Sequence, residues 1–210
     1  MKKKSCYKRP VLIGLTGGPG VGKTEVAKII SKKNAVVISA DKIGHKLLKD
    51  NERIKRRVIK LLGDHILDNR KNLDRKKIGG IVFADEEIMA SYNAIIHPEL
   101  LRCLKNELDK SSKYSRKLMV VVDAALIFEW GIANWFDFIL VITAKRRLRL
   151  NRIRQSGLSL NQAKKRIASQ LPQRLKIGLA DYVIENNSNR SVLTKNIDKF
   201  IEAIKRLLEN

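Results

Sequence analysis

Eight residues, GGPGVGKT at positions 17–24, carry the clearest chemistry in this 210-residue chain. Gly17-x-x-x-x-Gly22-Lys23-Thr24 fits the phosphate-loop template at every fixed position. Gly17, Gly18, Gly20 and Gly22 permit backbone angles that side chains block, so successive N–H groups can turn inward on phosphate oxygens. A helix beginning near Lys23 adds its positive end. The Lys23 ammonium suits the β- and γ-phosphates of a nucleoside triphosphate, and the Thr24 hydroxyl suits Mg²⁺. The loop implies a bound triphosphate and leaves its acceptor open.

Three further groups are candidates for the acceptor side. Asp41 closes the run AVVIS-A-D, where it can orient an acceptor hydroxyl, take its proton, or cap the next helix. Asp123 closes LMVVVD, the place of a carboxylate in a Mg²⁺ shell or of a structural cap. Glu129, in ALIFE, lies six residues on and offers a polar contact at the same rim. The run KRRLRLNRIR supplies Arg149, Arg152 and Arg154, which on a lid would offset charge developing during transfer or would form a solvated helix face.

These groups need a scaffold that brings strand ends together. VLIGLT (11–16), AVVIS (35–39), LMVVVDA (118–124), FILVITA (138–144) and YVIEN (182–186) are short apolar, β-branched runs, continuous rather than alternating. That pattern predicts buried strands of a parallel sheet. Helical spacing follows residue 24, covers residues 42–62, opens at Ser159 with Gln162 three residues on, and fills residues 192–208. The expected fold is α/β: a phosphate-loop, doubly wound, five-stranded parallel sheet. Residues 42–115 read as a helical substrate-side insertion and residues 145–172 as a helical lid within one domain.

At this point the ordered set GLTGGPGVGKTEVA, VVISADKIGH, IIHP, DAALIFE, FDFILVITA and RIASQ…K…ADYVIEN resembles the bacterial dephospho-CoA kinases over about residues 11–205. That resemblance implies transfer of the ATP γ-phosphate to the ribose 3′-hydroxyl of dephospho-CoA, with Mg²⁺. It implies that Gly20, Val21, Gly22, Lys23, Thr24 and Glu25 hold ATP, with Asn186 near the adenine. It gives Asp41 the role of catalytic acid, and His97 a place on the CoA side together with Glu129. His45 fits the family pattern as a helix residue. Arg149 and Arg154 stand as the catalytic arginines, although the family spacing is not matched cleanly enough to separate them from Arg152. Two departures are visible: Ser39-Ala40-Asp41 replaces Asp-Ala-Asp, and Ala125 replaces a proline.

Composition bounds the rest. The two cysteines, Cys6 and Cys103, have no metal or redox spacing, which points to a reducing, cytoplasmic setting. No apolar run approaches the ~18–20 residues of a membrane span. MKKKSCYKRP reads as a polar tail before the first strand rather than as a signal peptide. Lys and Arg total 44 against 21 Asp and Glu, a net charge of +23. The basic residues are spread along the chain and aromatics are only 5%, which argues against a nucleic-acid partner with stacking platforms. The rivals are a kinase of another nucleotide-like metabolite, a basic nucleic-acid-associated ATPase, and a degenerate kinase that binds ATP without transferring phosphate. Oligomeric state is not readable.

Overall fold

The computed structural model describes residues 9–155, 157 and 159–209. Cys6 and most of the basic N-terminal tail lie outside them. In chain order the elements are β1 (Val11–Thr16), α1 (Lys23–Ile30), β2 (Ala35–Ser39), α2 (Ala40–Asp50), α3 (Glu52–Leu62), α4 (Arg75–Val82), α5 (Glu86–Tyr114), β3 (Met119–Asp123), β4 (Phe138–Thr143), α6 (Arg146–Gln155), α7 (Leu160–Ala168), α8 (Gln173–Gly178), β5 (Tyr182–Glu185) and α9 (Arg190–Glu209). Short 3₁₀ turns sit at Asp64–Ile66 and Ala133–Trp135.

All five expected strands form. Their order is β2-β3-β1-β4-β5, so the strand that feeds the phosphate loop is central. It pairs in parallel with β3 (Val11 opposite Met119) and β4 (Ile13 opposite Phe138), and β4 pairs in parallel with β5. The apolar runs are continuous because both faces are covered. Ile13, Leu15, Val121, Leu140 and Ile142 face Val26 and Ile30 of α1 and Leu193, Ile197 and Phe200 of α9 in one buried cluster. On the other face Gly14 lies against Ile127, Phe136 and Ile139 so closely that a Cβ would collide with all three. Full burial of each large aliphatic chain contributes about 1.5–3 kcal/mol, so this two-sided core outweighs any local strand propensity.

The described chain clusters into two compact units. One comprises the segments up to Ile38 and from Leu108 onward, and the other is Ser39–Glu107. The second unit is helical, apart from an isolated antiparallel bridge between Leu67 and Leu73. The periodicity of residues 42–62 suggested one helix, but two form. Asn51 is extended (φ −102°, ψ 96°); its N–H closes α2 on the Leu47 carbonyl and its Oδ1 accepts from Ile54 N at 3.1 Å to open α3. A side chain able to cap gives the backbone an alternative that apolar spacing alone does not register. The capping box at Ser159 and Gln162 forms as its spacing predicts.

Candidate active site

The phosphate loop runs from the end of β1 into α1. Gly17, Gly20 and Gly22 adopt positive φ, while Gly18 does not. Gly18 is required for space instead, since a Cβ there would lie 2.6 Å from the Arg149 guanidinium. At Gly22 both demands meet: φ is 92°, and a Cβ would collide with the Asn186 amide. Gly22 is also the N-cap of α1 and supplies no side-chain cap, so the helix opens with N–H groups left for an anion.

Lys23 Nζ donates to Asp123 Oδ1 at 2.6 Å, with the two side chains 13% and 11% exposed. The strand order explains the meeting, because β3 lies directly beside β1. Breaking so desolvated a pair by removing one partner typically costs ~3–5 kcal/mol, so Lys23 is held until another anion replaces Asp123. Thr24 is exposed in the first turn of α1. Among the described residues no group of three or more His, Cys, Asp or Glu side chains is placed to hold a metal ion.

The three candidate arginines of α6, Arg149, Arg152 and Arg154, separate by face. Arg149 is buried; its Nε donates to the Pro19 carbonyl at 3.0 Å and one terminal nitrogen to Gln173 Oε1 at 2.9 Å. Burial pushes its pKa down, and Arg146 pushes it further. Arg152 follows one turn on. It reaches the Gly20 and Val21 carbonyls, each at 3.3 Å, and the Asn186 carbonyl at 3.0 Å. Arg154 is exposed on another face, in a groove with Asn151, Gln155 and Leu160. Two arginines therefore brace the phosphate loop from beneath, and Arg154 is not among them.

Asn186, just past β5, is buried and donates its side-chain amide to the Val21 carbonyl at 2.8 Å. With Gly22, Arg152, Ser188 and Arg190 it lines a cleft of about 330 Å³ at the outer side of the loop. Glu25 lies at the rim of this cleft, paired with Arg190 at 2.9 Å.

Glu129 makes two structural bonds. Its Oε1 accepts from Leu171 N at 2.9 Å and pairs with Lys176 Nζ at 2.8 Å. Lys176, 1% exposed, also donates to the Ala125 carbonyl at 2.7 Å and to Gln170 Oε1 at 3.3 Å. Burial pushes its pKa down, Glu129 pushes it up, and Lys23 and Arg149 push it down again. Sequence reasoning quoted this lysine within RIASQ…K…ADYVIEN without giving it a role, and it overlooked the bracing role of Arg152.

The remaining candidates belong to the helical unit. Asp41 is exposed in the first turn of α2, and its carboxylate makes no hydrogen bond or ion pair among the described residues. It is not the cap: Ser39 Oγ accepts from Lys42 N at 3.3 Å and takes that part. The serine that departs from Asp-Ala-Asp thus keeps the N-cap and leaves the Asp41 carboxylate without a hydrogen bond. His45 lies one turn on; burial and Arg75 lower its pKa while Asp41 opposes them. His97 is half-buried in α5 beside Pro98, and burial lowers its pKa.

A glycine-rich loop between a central parallel strand and a helix, with its lysine on a carboxylate from the neighbouring strand, defines a phosphate-loop α/β protein. The shikimate kinase of Bacteroides thetaiotaomicron shares this fold, with a TM-score of 0.53 at 15% identity, covering 93% of this chain and 98% of that one. Within that class the chain belongs to the dephospho-CoA kinase family, whose family model matches residues 11–191. It is 37% identical over 195 residues to a dephospho-CoA kinase of Fusobacterium nucleatum, covering 92% of this chain and 98% of the relative. It superposes on the dephospho-CoA kinase of Campylobacter jejuni with a TM-score of 0.68 at 28% identity, covering 93% of this chain and 97% of that one. No helix among the described residues is long and apolar enough to cross a membrane.

Proposed function

We propose that the protein transfers the γ-phosphate of ATP to the ribose 3′-hydroxyl of dephospho-CoA, giving coenzyme A and ADP, the last step of coenzyme A synthesis. The observation that carries this is the family match over residues 11–191, which spans the phosphate loop, Asp41, Asp123 and the α6–α8 region together.

In this reading the triphosphate lies along residues 17–24, with the base in the cleft beside Asn186 and Arg190. Lys23 exchanges its bond to Asp123 for phosphate oxygens; Asp123 and Thr24 are the residues that would hold Mg²⁺. The ion neutralises phosphate charge when bound. Asp41, exposed and without a hydrogen bond on its carboxylate, orients the 3′-hydroxyl and takes its proton as the oxygen–phosphorus bond forms and the bond from γ-phosphorus to the β–γ bridging oxygen breaks. Such transfer needs positioning and charge stabilisation more than covalent chemistry. Arg149 and Arg152 keep the loop in shape, and Arg154 is left as the arginine free to meet phosphate from the lid. Residues 42–115 form the CoA-side insertion that carries His97, and residues 145–172 form the lid. Glu129 acts through Lys176 and Leu171 rather than by touching substrate. The setting is cytoplasmic, and nucleic acid has no part in the reaction.

The deciding experiment measures ADP release from ATP and Mg²⁺ with dephospho-CoA, AMP, CMP or single-stranded DNA. The expected result is ADP only with dephospho-CoA, with coenzyme A formed one for one. Stimulation by another additive, and none by dephospho-CoA, would overturn the acceptor and keep the fold.

A further inference from the structure

Helix α8 is built inside out. Its buried residue is Lys176, whereas Leu175 and Ile177 are 46% and 39% exposed. An apolar chain of the same length would fill the buried space without the desolvation penalty that an ammonium carries. What the lysine adds is three N–H donors, and all three have acceptors: the Ala125 carbonyl, Glu129 and Gln170. With its three donors engaged, the ammonium serves the protein's own acceptors in this structure.

The partners are informative. The Ala125 carbonyl also accepts from the Thr16 hydroxyl at 3.1 Å, and Thr16 is the residue before Gly17 of the phosphate loop. Two residues before Ala125 is Asp123, which holds Lys23. Glu129 reaches the Leu171 N–H, and Gln170 precedes it. A second route leaves the same helix: Gln173 accepts from Arg149, which donates to the Pro19 carbonyl. Helix α8 is therefore tied to the phosphate-loop region at two points, one through Arg149 and one through the buried Lys176.

We propose that Lys176 is a positioning residue for phosphotransfer: by clamping the Ala125 carbonyl against Glu129 and Gln170, it makes residues 170–178 respond to nucleotide on the phosphate loop. This rests on the kinase reading above. When Lys23 leaves Asp123 for a triphosphate, the backbone after β3 is held by Thr16 on one side and Lys176 on the other. Any shift of that backbone then passes to α8.

The test uses the full chain as Lys176→Met and as Lys176→Met with Glu129→Gln. The single change leaves the Glu129 carboxylate, whose side chain is 19% exposed, without its cation and lowers Tm; the double change removes both charges and recovers it. In the wild type, a non-hydrolysable ATP analogue with Mg²⁺ slows amide hydrogen exchange at residues 17–24 and at residues 170–178. In both variants the slowing is confined to residues 17–24. Turnover with dephospho-CoA falls roughly 10- to 100-fold in both, the size seen for outer-shell partners, while KM for ATP stays within about threefold. A double variant that regains turnover along with Tm overturns the proposal, as does protection of residues 170–178 that persists without the lysine or is missing from the wild type. A wild type that binds the analogue but makes no coenzyme A overturns the proposed reaction alone, and the exchange comparison still decides the coupling.

Discussion

Lys23 has two anions to serve, and the second has to displace the first. Its bond to Asp123 at 2.6 Å holds the ammonium at the mouth of the loop until phosphate arrives. Lys23→Ala is expected to lower turnover at least ~10²-fold, the scale of losing one preorganised charge-stabilising group, as read by ADP release at saturating ATP. Asp41 differs because its carboxylate makes no hydrogen bond or ion pair among the described residues and meets only the field of His45. Asp41→Asn is expected to reduce kcat by more than it raises KM for ATP, and an unchanged kcat would remove its role. The loop was legible in the sequence because its function lies in consecutive backbone N–H groups, and the Lys-Thr pair sits in register with them. Asn186 was identified only by resemblance; its bond to the Val21 carbonyl joins residues 165 positions apart. The bracing role of Arg152 and the inward placement of Lys176 were missed for the same reason. Which face of α6 or α8 turns inward depends on docking, which local spacing does not encode.

At the scale of elements, the strands were readable because both faces of the sheet are buried, so their apolar runs are unbroken. Helix ends were less so. Asn51 splits a periodic stretch through one side-chain oxygen, and Asn51→Ala is expected to lower stability by about 0.5–2 kcal/mol in denaturant unfolding. Helix α6 shows how one element serves two surfaces. Arg149 and Arg152, three residues apart, share the face under the loop, whereas Arg154 sits elsewhere. Arg152→Met would free the Gly20, Val21 and Asn186 carbonyls at once. The expected outcome is several-fold weaker ATP binding by calorimetry, with the loop's glycine angles unsupported; binding equal to the wild type would show that Arg149 suffices. Helix α8 is the least legible element of all, since its apolar residues point outward and its lysine inward.

For the whole molecule, a net charge of +23 meets substrates that are themselves polyanions. Long-range attraction between exposed charges is screened within ~10 Å at 0.1 M salt. Hence kcat/KM for ATP and dephospho-CoA is expected to fall as NaCl rises from about 0.05 to 0.3 M, with kcat little changed, because the field acts on encounter rather than on the bound complex. A flat salt profile would leave the charge without a part in capture. Single-stranded DNA is expected not to stimulate ATP turnover.

The central place of β1 has a further consequence, for synthesis. Val11 pairs with Met119 and Ile13 with Phe138, so the first strand made has both its neighbours more than a hundred residues downstream. On the ribosome it emerges long before either partner exists. Ser39–Glu107, whose helices contact one another over short spans, can order itself in the meantime. A nascent chain halted before β3 would display VLIGLT with two open edges, which makes this segment the natural place for a chaperone to hold.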